Sequence, residues 1–186
     1  MIRLFILLAC LSGPLLLFPQ TRYRTEQGSI RFNASTPLED IDAGNKKVNA
    51  ILNPETGAFA SVLLIRDFHF RRKLMEEHFN ENYMESDTYP KAYFTGKLPG
   101  FSTGALTSAE VVWPVSGELT IHGVTHKMDA EARVSRAGDT IRLTASFVVR
   151  PETFGVEVPK LLFHKIAREV RVDVDLELGE TPSAGD

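Results

Sequence analysis

The chain has 186 residues, enough for one domain with a sizeable core. Its 43% hydrophobic and 24% charged content marks a globular protein and excludes a disordered one. A net charge of −3 and a pI near 6.0 argue against broad nucleic-acid binding, which needs a strongly basic face.

The first twenty residues stand apart. Arg3 precedes the apolar run Leu4–Cys10, and Leu15–Phe18 follows Gly13-Pro14. A short positive start, an apolar stretch and an abrupt change at Gln20-Thr21-Arg22 predict a secretory signal peptide over residues 1–20. Gly13-Pro14 interrupts the run and disfavours a spanning helix. Leu7-Leu8-Ala9-Cys10 has the look of a lipobox, but the apolar run continues past it, so lipidation is the lesser reading. Cys10 is the only cysteine, so a chain cleaved near Gln20 has no disulfide, thiol nucleophile or thiolate metal site. The expected location is periplasmic or secreted.

Beyond the leader the elements read as strands. Tyr23–Phe32 is a first strand with an irregularity at Gly28-Ser29, and Leu38–Ala43 a short second one. Val48, Ala50 and Leu52 alternate up to the turn Asn53-Pro54-Glu55-Thr56-Gly57, and Ala58–Ile65 returns, making a hairpin. Asp67 is placed to cap one helix over Phe70–Phe79, with Phe70, Leu74, Met75 and His78 at helical spacing. Ala92–Leu98 is a further strand. Val111–Ile121, Met128–Val134, Thr140–Val149 and Glu169–Leu178 complete the set, with a helical turn expected at Leu161–Ala167. Glu169–Leu178 alternates strictly: Val170, Val172, Val174, Leu176 and Leu178 face one way, Arg171, Asp173, Asp175 and Glu177 the other. About eight strands at regular spacing predict an all-β, antiparallel eight-stranded barrel with one inserted short helical segment. The barrel is expected over residues 21–180, with residues 181–186 as a disordered tail.

Catalytic signals are sparse. There is no G-x-S-x-G and no glycine-rich phosphate loop. His122 and His126 flank a turn, but no third ligand accompanies them, so neither a metal nor a cofactor is expected. Arg66, Arg71, Arg72 and Lys73 form a basic cluster that could meet a phosphate headgroup, although Glu76 and Glu77 offset it. The twelve phenylalanines are first of all core residues; in a barrel left partly unfilled, the same rings line an apolar tunnel.

Three segments together resemble the YceI-like family. They are Glu77–Phe94 (EHFNENYMESDTYPKAYF), the hairpin Gly117–Thr125 (GELTIHGVT), and Phe154–Pro159 (FGVEVP) followed by Ile166-Ala167 and the last strand. The resemblance implies a lipocalin-like barrel, exported, some of whose members hold a long polyisoprenoid. The function expected from it is non-enzymatic carriage or sequestration of an isoprenoid-like lipid or quinone, with a transient membrane contact. The alternative is an envelope stress or interaction protein with a packed barrel. The expected apolar lining is Phe59, Phe94, Trp113, Ile121, Leu143, Phe147, Phe154, Phe163, Val172 and Val174.

Overall fold

The computed structural model describes residues 21–158 and 166–182. The leader, Phe163 and most of the turn expected at Leu161–Ala167 lie outside the described residues. The strands are β1 (Thr21–Asn33), β2 (Asp42–Leu52), β3 (Ala58–Leu64), β4 (His69–Phe70), β5 (Lys91–Lys97), β6 (Val111–Ile121), β7 (Val124–Ala137), β8 (Thr140–Val149) and β9 (Val170–Pro182). Among the described residues one α-helix, α1 (Lys73–His78), runs on into a wider turn over Phe79–Tyr83.

The strands pair antiparallel in the order β1-β9-β8-β7-β6-β5-β3-β2, and β2 returns to β1. Eight strands thus close into a barrel, which removes every long free edge. The stub β4 prolongs the β3 side of β2 beyond a tight turn at Ile65–Asp67, setting Phe70 opposite Ala43. The β6–β7 hairpin turns on His122 and Gly123 alone, at φ +51° and +75°, with Ile121 opposite Val124. Two successive positive φ values match the twist of the flanking strands, and glycine supplies one without strain. In β1 the register slips on either side of Gly28 against β2, the irregularity expected there. The gap takes the end of the Leu176 side chain, leaving no room for a Cβ on Gly28.

Two segments depart from the sequence reading. Leu38 lies in a turn, not a strand: Thr36 and Glu39 bond each other, and the Ser35 hydroxyl accepts the Ile41 N–H at 2.9 Å. The helix is shorter than Phe70–Phe79. Asp67 does not cap it, because its carboxylate takes the Lys47 ammonium at 2.9 Å, and Phe70 is committed to the β4 bridge. At the other end β9 runs to Pro182, four residues past the expected Leu178. Residues 183–186 lie outside the described residues.

The floor of the barrel is filled. Leu52, Leu98, Val134, Ile141 and Leu178 are fully buried there, and the loop after β5 closes it with buried Phe101 and Leu106.

Candidate functional site

The upper half is hollow. A cavity of about 580 Å³ lies within it. Its walls come from alternate positions of the strands: Phe32 of β1, Ile121 of β6, Phe147 and Val149 of β8, and Val172 of β9. The connections above them add Ile41, Met75, Met84 and Val156. Leu74 and His78 on α1 are exposed and also line the cavity, so it opens to solvent beside the helix.

Four phenylalanines form one wall. Phe79 lies against Phe32, Phe68 and Phe70, with ring centres 5.4, 5.7 and 5.1 Å apart. Phe32 also meets Phe68 at 5.2 Å. None of the four was among the expected lining residues, although Phe68 and Phe70 alternate around His69 in a way that places both on one face.

The polar side chains of the wall are Glu39, Arg72, His78 and Tyr83, all from the connections at the open end. Arg72 donates to Glu39 at 2.8 Å, and Arg71 to Asp40 at 3.2 Å, so two ion pairs tie the start of the helical segment to the turn after β1. Burial raises the Tyr83 phenol above its ordinary 10.0. Glu76 on α1 is held below its ordinary 4.5, chiefly by the Lys73 ammonium at 2.7 Å and also by the Phe70 N–H. The basic cluster is therefore paired: Arg71, Arg72 and Lys73 as above, and Arg66 with Asp87.

A second, smaller void of about 100 Å³ lies deeper. Phe59, Phe94, Leu143, Phe147 and Val174 line it, while Ile121, Phe147, Phe154 and Val172 line the large cavity. Trp113 lines neither. Its ring packs edge-on against Phe101 at 5.3 Å and its indole N–H donates to the Pro99 carbonyl at 2.9 Å, on the closed end of the barrel.

The two turn histidines go separate ways. His122 Nε2 lies 2.9 Å from the Glu85 carboxylate and its ring packs on Tyr89 at 4.3 Å. His126 sits edge-on to Phe154 at 5.3 Å. Glu85 and His122 are the non-glycine residues with positive φ among the described residues, and they bond each other. This joins the segment carrying Met84 to the β6–β7 hairpin. Among the described residues no three His, Cys, Asp or Glu side chains converge as a metal site, and no helix is long and apolar enough to cross a membrane.

A closed antiparallel barrel, filled below and holding an apolar pocket above, has the architecture of lipocalin-like proteins. The chain belongs to the YceI-like domain family, whose model matches residues 22–178. Among solved structures it resembles a polyisoprenoid binding domain from Saccharophagus degradans, with a TM-score of 0.75 at 15% identity over 88% of this chain and all of that one. Burkholderia cenocepacia BcnA gives a TM-score of 0.68 at 16% identity, covering 82% of this chain and 96% of its own. The Campylobacter jejuni YCEI protein gives 0.52 at 13%, covering 77% and 85%. At these identities the likeness is one of fold. No curated protein matches the chain in sequence.

Proposed function

We propose that this protein is an exported, non-enzymatic carrier or sequestering protein for an apolar, isoprenoid-like lipid or quinone. The observation that carries the reading is the 580 Å³ cavity, hydrocarbon-walled except at its mouth. Such a pocket offers a chain burial and little else. Each buried methylene is worth roughly 0.8 kcal/mol, so ten of them outweigh any single hydrogen bond even after ordering costs. The name of the Saccharophagus relative supports the ligand class, and the Arg3-led apolar leader supports export.

The test loads a fluorescent isoprenoid into wild type, Phe147→Glu and Asp173→Lys, with circular dichroism alongside. Phe147 faces the cavity, and a carboxylate there is an unpaired charge in hydrocarbon, costing several kcal/mol. Asp173 lies on the outer face, beside Arg171 at 3.1 Å. Phe147→Glu should lose binding or folding and Asp173→Lys neither. A folded Phe147→Glu that binds like wild type would refute the site. Full-length protein recovered from the cytoplasm on fractionation would refute export.

A further inference from the structure

We propose that Phe147 is a chain-length stop: the cavity accepts an apolar tail of about four to five isoprene units, and the ring blocks the next one. The inference rests on the lipid reading above and goes on to say which lipids fit.

The two voids lie one above the other and share five residues: Ile30, Leu63, Ala92, Leu119 and Phe147. These come from five strands and form one level of inward side chains. Their strand neighbours two residues along fall into the upper void on one side or the lower void on the other wherever they line a void. Val149 lines the upper void and Ala145 the lower; Ile65 the upper and Ser61 the lower; Phe32 the upper, with Gly28 below it in β1. The level is therefore a waist. Phe147 supplies its largest side chain, and Ala92, opposite Leu63 in the sheet, its smallest.

Below the waist Ala130, Ala132 and Ala145 stand among larger side chains such as Phe59 and Phe94, and a void persists where the short side chains leave space. Below that the barrel is solid with Leu52, Ile141 and Leu178. A tail entering from the mouth thus meets a step at Phe147 before it meets the true floor.

Volumes set the scale. A 150 Å³ protein cavity holds benzene, or about 25 Å³ per carbon. On that measure the 580 Å³ upper cavity takes about 23 carbons and the 100 Å³ lower one about four more. Trimming Phe147 to alanine removes six ring carbons, so joining the two voids should lengthen the accepted tail by about ten carbons, or two isoprene units.

The experiment measures Kd for linear prenols of about 15 to 35 carbons in five-carbon steps, by native mass spectrometry and by displacement of a fluorescent prenol. Wild type should gain about tenfold or more in affinity per unit up to about 20 to 25 carbons, then less than about twofold. In Phe147→Ala the break should move out by about two units. Adding Ala145→Leu, which refills the lower void, should move it back. Phe147→Leu, a smaller change, carries the same test with a shift of about one unit should the alanine variant fail to fold. A break at the same length in wild type and a folded Phe147 variant, or none in wild type, overturns the stop while leaving lipid binding intact. Failure of every prenol to bind wild type overturns the lipid reading, and the stop with it.

Discussion

Gly96 and Gly117 face each other across β5 and β6, and the Phe94 ring lies over both. A Cβ on Gly96 would land on the Ser116 carbonyl oxygen, 2.7 Å from the tip of Phe94 and 2.8 Å from the Gly117 Cα. Two of these three neighbours are backbone atoms of a paired strand, which cannot swing aside as a side chain can. Overpacking a core costs about 1–3 kcal/mol, and rigid backbone neighbours put Gly96→Ala at the upper end, about 3 kcal/mol. For a domain of this size that lowers Tm by roughly 6–12 °C. Gly179→Ala is the control. It too is an extended strand glycine, but its Cβ would meet nothing within 4 Å. Through the unfolded chain's lost freedom it should be neutral or stabilise by about 0.4–1 kcal/mol. Urea unfolding of both variants measures the difference. Adding Phe94→Leu clears the ring but not the backbone, so Gly96→Ala should still cost most of its 3 kcal/mol, to within about 1, in that background. A Gly96→Ala protein within about 1 kcal/mol of Gly179→Ala would refute the reasoning, as would full rescue by Phe94→Leu.

Two further outcomes follow. Trp113 lines neither void, so lipid loading should leave its fluorescence maximum unchanged, and Trp113→Phe should lose about 1 kcal/mol of stability, the worth of its bond to Pro99, without changing ligand affinity. The Glu76 carboxyl is lowered by Lys73, so its contribution is present above the ordinary 4.5 and lost as pH falls through the lowered value. Amide exchange over residues 73–83 should therefore accelerate, beyond its intrinsic rate, on going from about pH 6 to about pH 3, and Glu76→Gln should flatten that response.

The strands of the second half were legible because each presents a clean alternation, and Val111–Ile121 and Thr140–Val149 have the very bounds their patterns give. Alternation reports which face a side chain takes; it is silent about height along the barrel axis. Ile141, Leu143 and Phe147 share one face of β8, yet Ile141 is fully buried in the packed floor, Leu143 borders only the lower void and Phe147 borders both. Tilted strands set a side chain's height through register with distant neighbours, a long-range property. Trp113 illustrates the same point: its alternation gives the face, while its level beside Pro99 and Phe101 is the closed end. The helix was overextended because Phe70, Leu74 and His78 fit a helical period while Phe68 and Phe70 fit a strand period, and sheet pairing to Ala43 decided the overlap. Leu38 looked like part of a strand, yet it stands 70% exposed in a turn fixed by the Ser35 hydroxyl.

The packed floor beneath the lower void also bears on how a lipid, on the reading proposed above, would be exchanged. With Leu98, Phe101 and Leu106 buried at that end, the described residues make the pocket a well that opens beside α1 and is closed at its floor. A resident chain cannot be pushed through by its successor. It must back out before another goes in, so the departure rate is a property of the loaded protein alone, and adding competitor cannot hasten it. If the proposed carriage holds, delivery would be governed by whatever surrounds the mouth: a bound chain would be kept in dilute solvent and given up where the escaping tail finds another apolar phase waiting.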